Sequence, residues 1–345
     1  MEQSNSSIFN SDMNEEHTIE LRNFFHTASL LVTPFLVVLS AVIFIALLSR
    51  DPNTYAHSLE MKERLLSDTP GARIIIMGGS GAASSIDSKT LMHALHSEPV
   101  NMGVFAGVGM RFITREVQNN IHEGDIILLA PEYEMLQQPS YGDGFLLLQL
   151  LEANPTKIKD VVTLHGIIVM TRAFPSWLQF QSAYLVHALR NRFFTHIFTT
   201  SERLYTLDNV THSGDLDTSS AVGIHMSEKE LRDTSKEFVR NAIDPVNLSF
   251  ITALAARAKD THAQFFVVLP AVPQSAEAGN LPAITSQYEQ LVKAVGADHI
   301  LGTPGYFVFP DTEFLDSIGH LTAAGKVRRT DLILKALKEH AVTTD

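Results

Sequence analysis

Arg73-Ile-Ile-Ile-Met-Gly-Gly-Ser80-Gly81 is an apolar run that breaks at paired glycines and delivers a serine. A short apolar run bounded by turn residues reads as a strand buried on both faces. Glycine on either side of Ser80 lets the backbone turn tightly and approach a bound group closely. Ala82-Ala83-Ser84-Ser85-Ile86 then reads as the opening of a helix, whose first amides favour a developing negative charge. A serine so placed lies at the carboxyl edge of a parallel sheet, where α/β folds form their crevices. The turn is neither a Walker phosphate loop nor a GxGxxG dinucleotide fingerprint. Gly/Ser turns also serve purely structural ends, so Ser80 gains meaning only in company with a base.

Working outward, short apolar runs alternate with helical patterns. Arg73–Met77, Val100–Phe105, Asp125–Ala130, Gln264–Leu269 and Tyr306–Phe309 read as strands. Such alternation predicts an α/β domain over residues 71–345 with a mainly parallel sheet flanked by helices. A stretch of about 137–244 is too long for an ordinary connection and reads as an insertion. Its first part is apolar and helix-like, and Thr199 to Gly223 is rich in Ser, Thr, Asp and Gly. Phe174, Trp177, Leu178, Phe180, Tyr184, Leu185, Phe193 and Phe194 suit a lid, a docking surface or plain packing against the sheet.

The base stands near the other end of the chain. Phe314-Leu-Asp316-Ser-Ile-Gly-His320-Leu-Thr-Ala-Ala-Gly325 places a carboxylate and an imidazole just before an amphipathic helix. A serine hydroxyl is a weak nucleophile until an imidazole takes its proton, and a carboxylate fixes that imidazole's tautomer. Ser80, His320 and Asp316 supply these three roles. His93, His96, His122, His165, His187 and His196 read as surface or packing residues. No HExxH-like or carboxylate cluster argues for a metal, and the triad chemistry requires no cofactor.

Composition narrows the partners. With 345 residues, 45% of them hydrophobic, the chain has ample apolar content for a core. A formal charge of −12, with no basic run, argues against nucleic acid. The absence of cysteine excludes disulfides, thiolate metal sites and a thiol nucleophile.

From Asn23 to Ser49 no Asp, Glu, Lys or Arg occurs, and a helix needs about 20 apolar residues to cross the hydrocarbon core. Residues 23–49 therefore read as one transmembrane helix, roughly Phe25 to Leu48, tolerating an early Pro34. A cleaved signal peptide fits less well: the run is too long, the preceding segment is acidic, and no small-x-small cleavage site follows. Residues 1–22 read as an acidic disordered tail, and 50–70 as a juxtamembrane helix spacing the domain from the bilayer. One positive charge before the helix (Arg22) and three after it (Arg50, Lys62, Arg64) weakly favour a cytoplasmic C-terminal domain.

The order Gly78-Gly79-Ser80, then Asn101-Met-Gly103, then Asp316…His320-Leu-Thr-x-x-Gly325 resembles the SGNH/GDSL hydrolases over most of residues 72–340. The resemblance implies a three-layer, flavodoxin-like fold. It implies Ser80 as nucleophile, His320 as base and Asp316 as orienting acid, with the Ser80 and Gly103 amides forming the oxyanion hole. Gly79 stands where many members carry Asp. The carboxylate lies one residue further from the histidine than the family's Asp-x-x-His, which leaves Asp311 and Glu313 as alternatives. The third-block Asn has no counterpart, since Pro131-Glu132-Tyr133 follows the strand. Tyr133 or a backbone amide such as that of Gly81 is the expected substitute.

A membrane helix ahead of such a domain resembles bacterial proteins of surface-polymer acylation. That resemblance implies a serine acyltransferase or esterase acting on O-acyl groups, acetyl foremost, of a surface or exopolysaccharide through an acyl-serine. It implies an inner-membrane, single-pass protein with a periplasmic domain working beside a membrane-bound O-acyltransferase, against the charge count above. A non-catalytic scaffold of a polysaccharide complex and a membrane-anchored lipase or esterase are the alternatives.

Overall fold

The structure, a computed structural model, describes residues 6–48, 53–193, 204–219, 221, 223–239 and 242–340. The chain divides into two compact units, one of Met1–Arg50 with Leu178–Arg192 and one of Asp51–Trp177 with Phe193–Asp345.

In the first unit a single helix runs from Ser6 to Leu48 and continues through Pro34. Its segment Leu21–Ala41, with a mean hydropathy of 1.8, is long and apolar enough to cross a membrane. The tail expected to be disordered is helical from Ser6 onward. No Gly or Pro interrupts the sequence between Ser6 and Thr33, so the backbone hydrogen bonding of the apolar segment extends into it. Residues 1–5 and Ser49 to Pro52 of the expected tail, span and linker lie outside the described residues.

The second unit is an α/β fold around a five-stranded parallel sheet. Its strands, in chain order, are β1 (Arg73–Gly78), β2 (Glu98–Asn101), β3 (Ile126–Ala130), β4 (Gln264–Val268), β5 (Val272–Pro273), β6 (Ile300–Leu301) and β7 (Val308–Phe309). The main sheet has the order β2-β1-β3-β4-β6, while β5 and β7 pair separately. Ile74, Ile75, Ile76 and Met77 of β1 and Ile127, Leu128 and Leu129 of β3 are wholly buried. Burial on both faces is why these strands read as continuous apolar runs. Each such side chain contributes about 1.5–3 kcal/mol.

Two strand expectations change. Val100–Phe105 is a strand only to Asn101, within Glu98–Asn101; and of Tyr306–Phe309 only Val308–Phe309 forms a strand, β7, which pairs with β5 outside the main sheet, so that the fifth strand is instead Ile300–Leu301. The helix Ser58–Asp68, expected as a spacer, packs onto the domain with Leu59, Lys62 and Leu66 buried.

At the amino-terminal edge Arg73 and Asp125 form a buried ion pair of 2.7 Å, both side chains having no exposure. Asp125 also accepts from the Arg73 and His122 amides, at 2.9 and 2.8 Å. The remaining guanidinium donors go to the carbonyls of Leu66 and Asn120. All three guanidinium nitrogens of Arg73 donate, which is how a buried charge is tolerated.

The insertion carries helices over Gly144–Ala153, Leu164–Phe193 and Glu228–Phe238. Trp177 is buried and donates to Glu152 at 3.2 Å, so this member of the aromatic set packs. Phe180 is exposed; the side chains of Leu185 and Phe193, and all of Phe194, lie outside the description.

Candidate active site

The sheet order reverses between β1 and β3, and at that switch point the carboxyl ends of two neighbouring strands open a crevice. The register pairs Gly78 with Ala130. Two residues further along each strand come Ser80 and Glu132, which the pairing therefore sets side by side.

Ser80 opens the short helix Ser80–Ser85. Its Oγ lies 2.8 Å from His320 Nε2, and His320 Nδ1 lies 2.9 Å from Asp316 Oδ1. An ionised carboxylate only accepts, so Nδ1 carries the proton and Nε2 is left to accept from the Ser80 hydroxyl. The arrangement can draw the proton from serine towards the imidazole.

The loop carrying Asp316 and His320 is a tight reversal. Phe314 bridges Leu321 in antiparallel fashion, and the Leu315 amide donates to the His320 carbonyl at 3.0 Å. This closure places the carboxylate correctly despite its shifted spacing. Ser85 clamps the loop to the serine helix: its hydroxyl donates to the Gly319 carbonyl at 2.6 Å and accepts from the Leu321 amide at 3.1 Å. Asp311 and Glu313 are engaged elsewhere, Asp311 with the Ser275 amide at 3.1 Å and Glu313 with Arg328 at 2.8 Å.

Tyr205 joins this constellation from the insertion. Its hydroxyl donates to Asp316 Oδ2 at 2.6 Å and lies 2.8 Å from His320 Nδ1. Burial first, and then the Asp316 charge, raise the Tyr205 phenol above its ordinary range, so it stays protonated as a donor. Burial alone would raise the Asp316 carboxyl, but the His320 and Tyr205 contacts outweigh it and hold it below the usual range. The Tyr205 loop is fixed by long-range bonds: Tyr55 amide to Tyr205 carbonyl at 3.2 Å, Leu216 amide to Ala83 carbonyl at 2.9 Å, and Asn101 amide to Ser213 carbonyl at 2.7 Å. Nothing local in the sequence marks this tyrosine.

The oxyanion expectations are redistributed. The Gly103 amide donates to its own neighbour Asn101 Oδ1 at 2.9 Å, so in this arrangement its proton is already committed. The Gly103 carbonyl takes the Tyr55 hydroxyl at 2.8 Å and the Lys62 amine. Tyr133 lines the pocket, but its ring packs with Val239, Val272, Ala283 and Ile284. Glu132 is the residue that reaches the serine turn. Its Oε2 accepts from the Gly79 amide at 3.0 Å and its Oε1 from the Gly81 amide at 2.5 Å. A Cβ on Gly79 would collide with this carboxyl and with the Ala106 backbone, which explains a glycine there.

Ser80, Gly81, Glu132, His320 and Arg329 line one cavity of about 90 Å³. Among the described residues no group of three or more His, Asp or Glu side chains is placed to hold a metal. Compared with known proteins, the chain matches no family model, no curated protein and no solved structure.

Proposed function

We propose that this protein is a membrane-anchored serine acyltransferase or esterase that handles a small acyl group, acetyl foremost, through an ester on Ser80. The observation that carries the reading is the hydrogen-bonded chain Ser80–His320–Asp316 at the carboxyl edge of the sheet. In the first step Ser80 Oγ attacks the acyl carbonyl carbon while His320 Nε2 takes the serine proton. The carbonyl electrons move onto oxygen, then return as the bond to the leaving alcohol breaks and His320 protonates that alcohol. An acceptor hydroxyl, or water, reverses the sequence.

The cavity of about 90 Å³ beside Ser80 has room for a short acyl group. The resemblance to SGNH hydrolases of bacterial surface-polymer acylation supports a glycan as the other substrate. It also supports a single-pass inner-membrane protein with a periplasmic domain, beside a membrane-bound O-acyltransferase.

Fluorophosphonate labelling of the detergent-solubilised full chain tests the activated serine. Labelling that vanishes in both Ser80→Ala and His320→Ala is expected. A folded wild type that takes no label would favour the scaffold, which keeps the fold without the chemistry.

A further inference from the structure

Glu132 stands at the serine turn without a cation in contact. Its two oxygens cap the amides on either side of Ser80, at 3.0 and 2.5 Å. Among the described residues, no Lys or Arg lies within ion-pair distance of it. Arg329, buried in the same cavity, feels the Glu132 charge without touching it; it donates to the Leu269 carbonyl at 3.3 Å and lies over the Phe307 ring. A carboxylate here would face a negatively charged oxygen developing on the substrate, and that repulsion would oppose the step it adjoins.

Resting on the reading above, we infer that Glu132 acts as a neutral acid and that its O–H donates a hydrogen bond to the acyl oxygen as Ser80 attacks. The two carboxyl oxygens retain lone pairs for the Gly79 and Gly81 amides, while the acid proton is left for the pocket. The donor gives no proton away: it lends its hydrogen bond to the oxyanion while His320 carries the proton exchanged with serine and the leaving alcohol. The same acid fixes the Gly79–Gly81 backbone that aims Ser80.

Burial supports the neutral form. It raises the Glu132 carboxyl above the usual range, against the lowering pull of the Gly81 amide, the His320 charge and the Gly79 amide. The titratable and charged groups facing Glu132 are His320 on the preceding loop, Arg329 on the last helix, Tyr55 near the start of the domain, and Tyr133 and Glu134 beside it. Burial holds Tyr55 and Tyr133 protonated and brings Arg329 down to about 10, while Lys62, brought down to about 7, titrates alike in wild type and in a Glu132 variant, so the difference between their profiles below about pH 9 reports on the carboxyl.

The sign follows. Activity needs Glu132 protonated, so it falls as pH rises through the raised Glu132 pKa. Glutamine keeps a donor that does not titrate, but its NH2 cannot accept, so it gives up one of the two amide caps.

The experiment is the pH profile of kcat/KM for p-nitrophenyl acetate hydrolysis by the full chain in detergent, with Glu132→Gln, Glu132→Ala and Ser80→Ala. The expected result is an alkaline decline in wild type that is absent from Glu132→Gln, whose turnover is lower for want of one amide cap but flat over the same range. Glu132→Ala is expected to fall by about 10²–10³ on the acid side of that decline, the usual cost of one oxyanion donor, and to show no such decline itself. An alkaline decline that persists unchanged in Glu132→Gln would overturn the inference alone. Turnover that survives in Ser80→Ala would overturn the serine mechanism, and this inference with it. Because wild type and Glu132→Gln are compared by the shape of their profiles, the comparison stands even if the alanine variant does not fold.

Discussion

At the amino-terminal edge of the sheet Asp125 is buried against Arg73, and at the carboxyl-terminal edge Glu132 is held by backbone amides beside an open cavity. The two carboxyl groups flank the same strand, β3, with Asp125 just before it and Glu132 just after it. Asp125 has a guanidinium and two amides, so its charge is matched where it stands. Glu132 has two amides and no cation in contact, so burial pushes it towards the neutral acid. A matched charge fixes structure, whereas an unmatched acid facing a cavity is available for chemistry.

If the carboxyl edge is the reactive one, Ser80→Ala should abolish ester turnover by at least about 10³-fold while leaving the melting temperature within a few degrees of wild type. Steady-state hydrolysis together with a thermal melt checks both halves. The opposite pattern is expected at the other edge. Asp125→Ala strands Arg73 in the core and should cost about 3–5 kcal/mol in denaturant unfolding, with turnover of the remaining folded fraction close to wild type. Equal effects on stability and turnover at both edges would break the comparison.

Lys62 sharpens it from the side. Burial lowers its amine to about 7, against about 10.4 in an unfolded chain. Between these values the unfolded chain binds more protons, so stability rises with pH over that window, by up to about 1.4 kcal/mol per pH unit. Lys62→Met should flatten that rise in denaturation curves measured across it, since Tyr55 still donates to the Gly103 carbonyl.

The smallest expected effect is at Tyr205, which touches the serine only through Asp316 and His320. Tyr205→Phe removes a hydrogen bond to a charged group, worth about 1.5 kcal/mol, and should lower kcat about tenfold with KM unchanged. A KM effect of that size would place Tyr205 in substrate binding instead.

Much of the sheet can be read from the chain because parallel strands covered on both faces are continuous apolar runs, as in Ile74–Met77 and Ile127–Leu129. Ile300–Leu301 is too short to stand out, and the partner of Val308–Phe309 depends on β5, a two-residue strand. Ser80, Asp316 and His320 are legible as a pattern, since each sits in a local turn signal. Tyr205 is not: it lies 111 and 115 residues from its partners and arrives through a docked loop. Glu132 is overlooked for another reason. An amide side chain is the expected occupant after the third strand, and a buried carboxylate looks like the wrong charge until burial is allowed to neutralise it.

The mechanism requires that Ser80 become esterified. The most direct measurement is peptide mass analysis of the full chain after brief exposure to p-nitrophenyl acetate and an acid quench. The account predicts one acetyl group on the peptide containing Ser80, absent from Ser80→Ala and His320→Ala. Acetylation confined to lysines, or equal in wild type and Ser80→Ala, would contradict it.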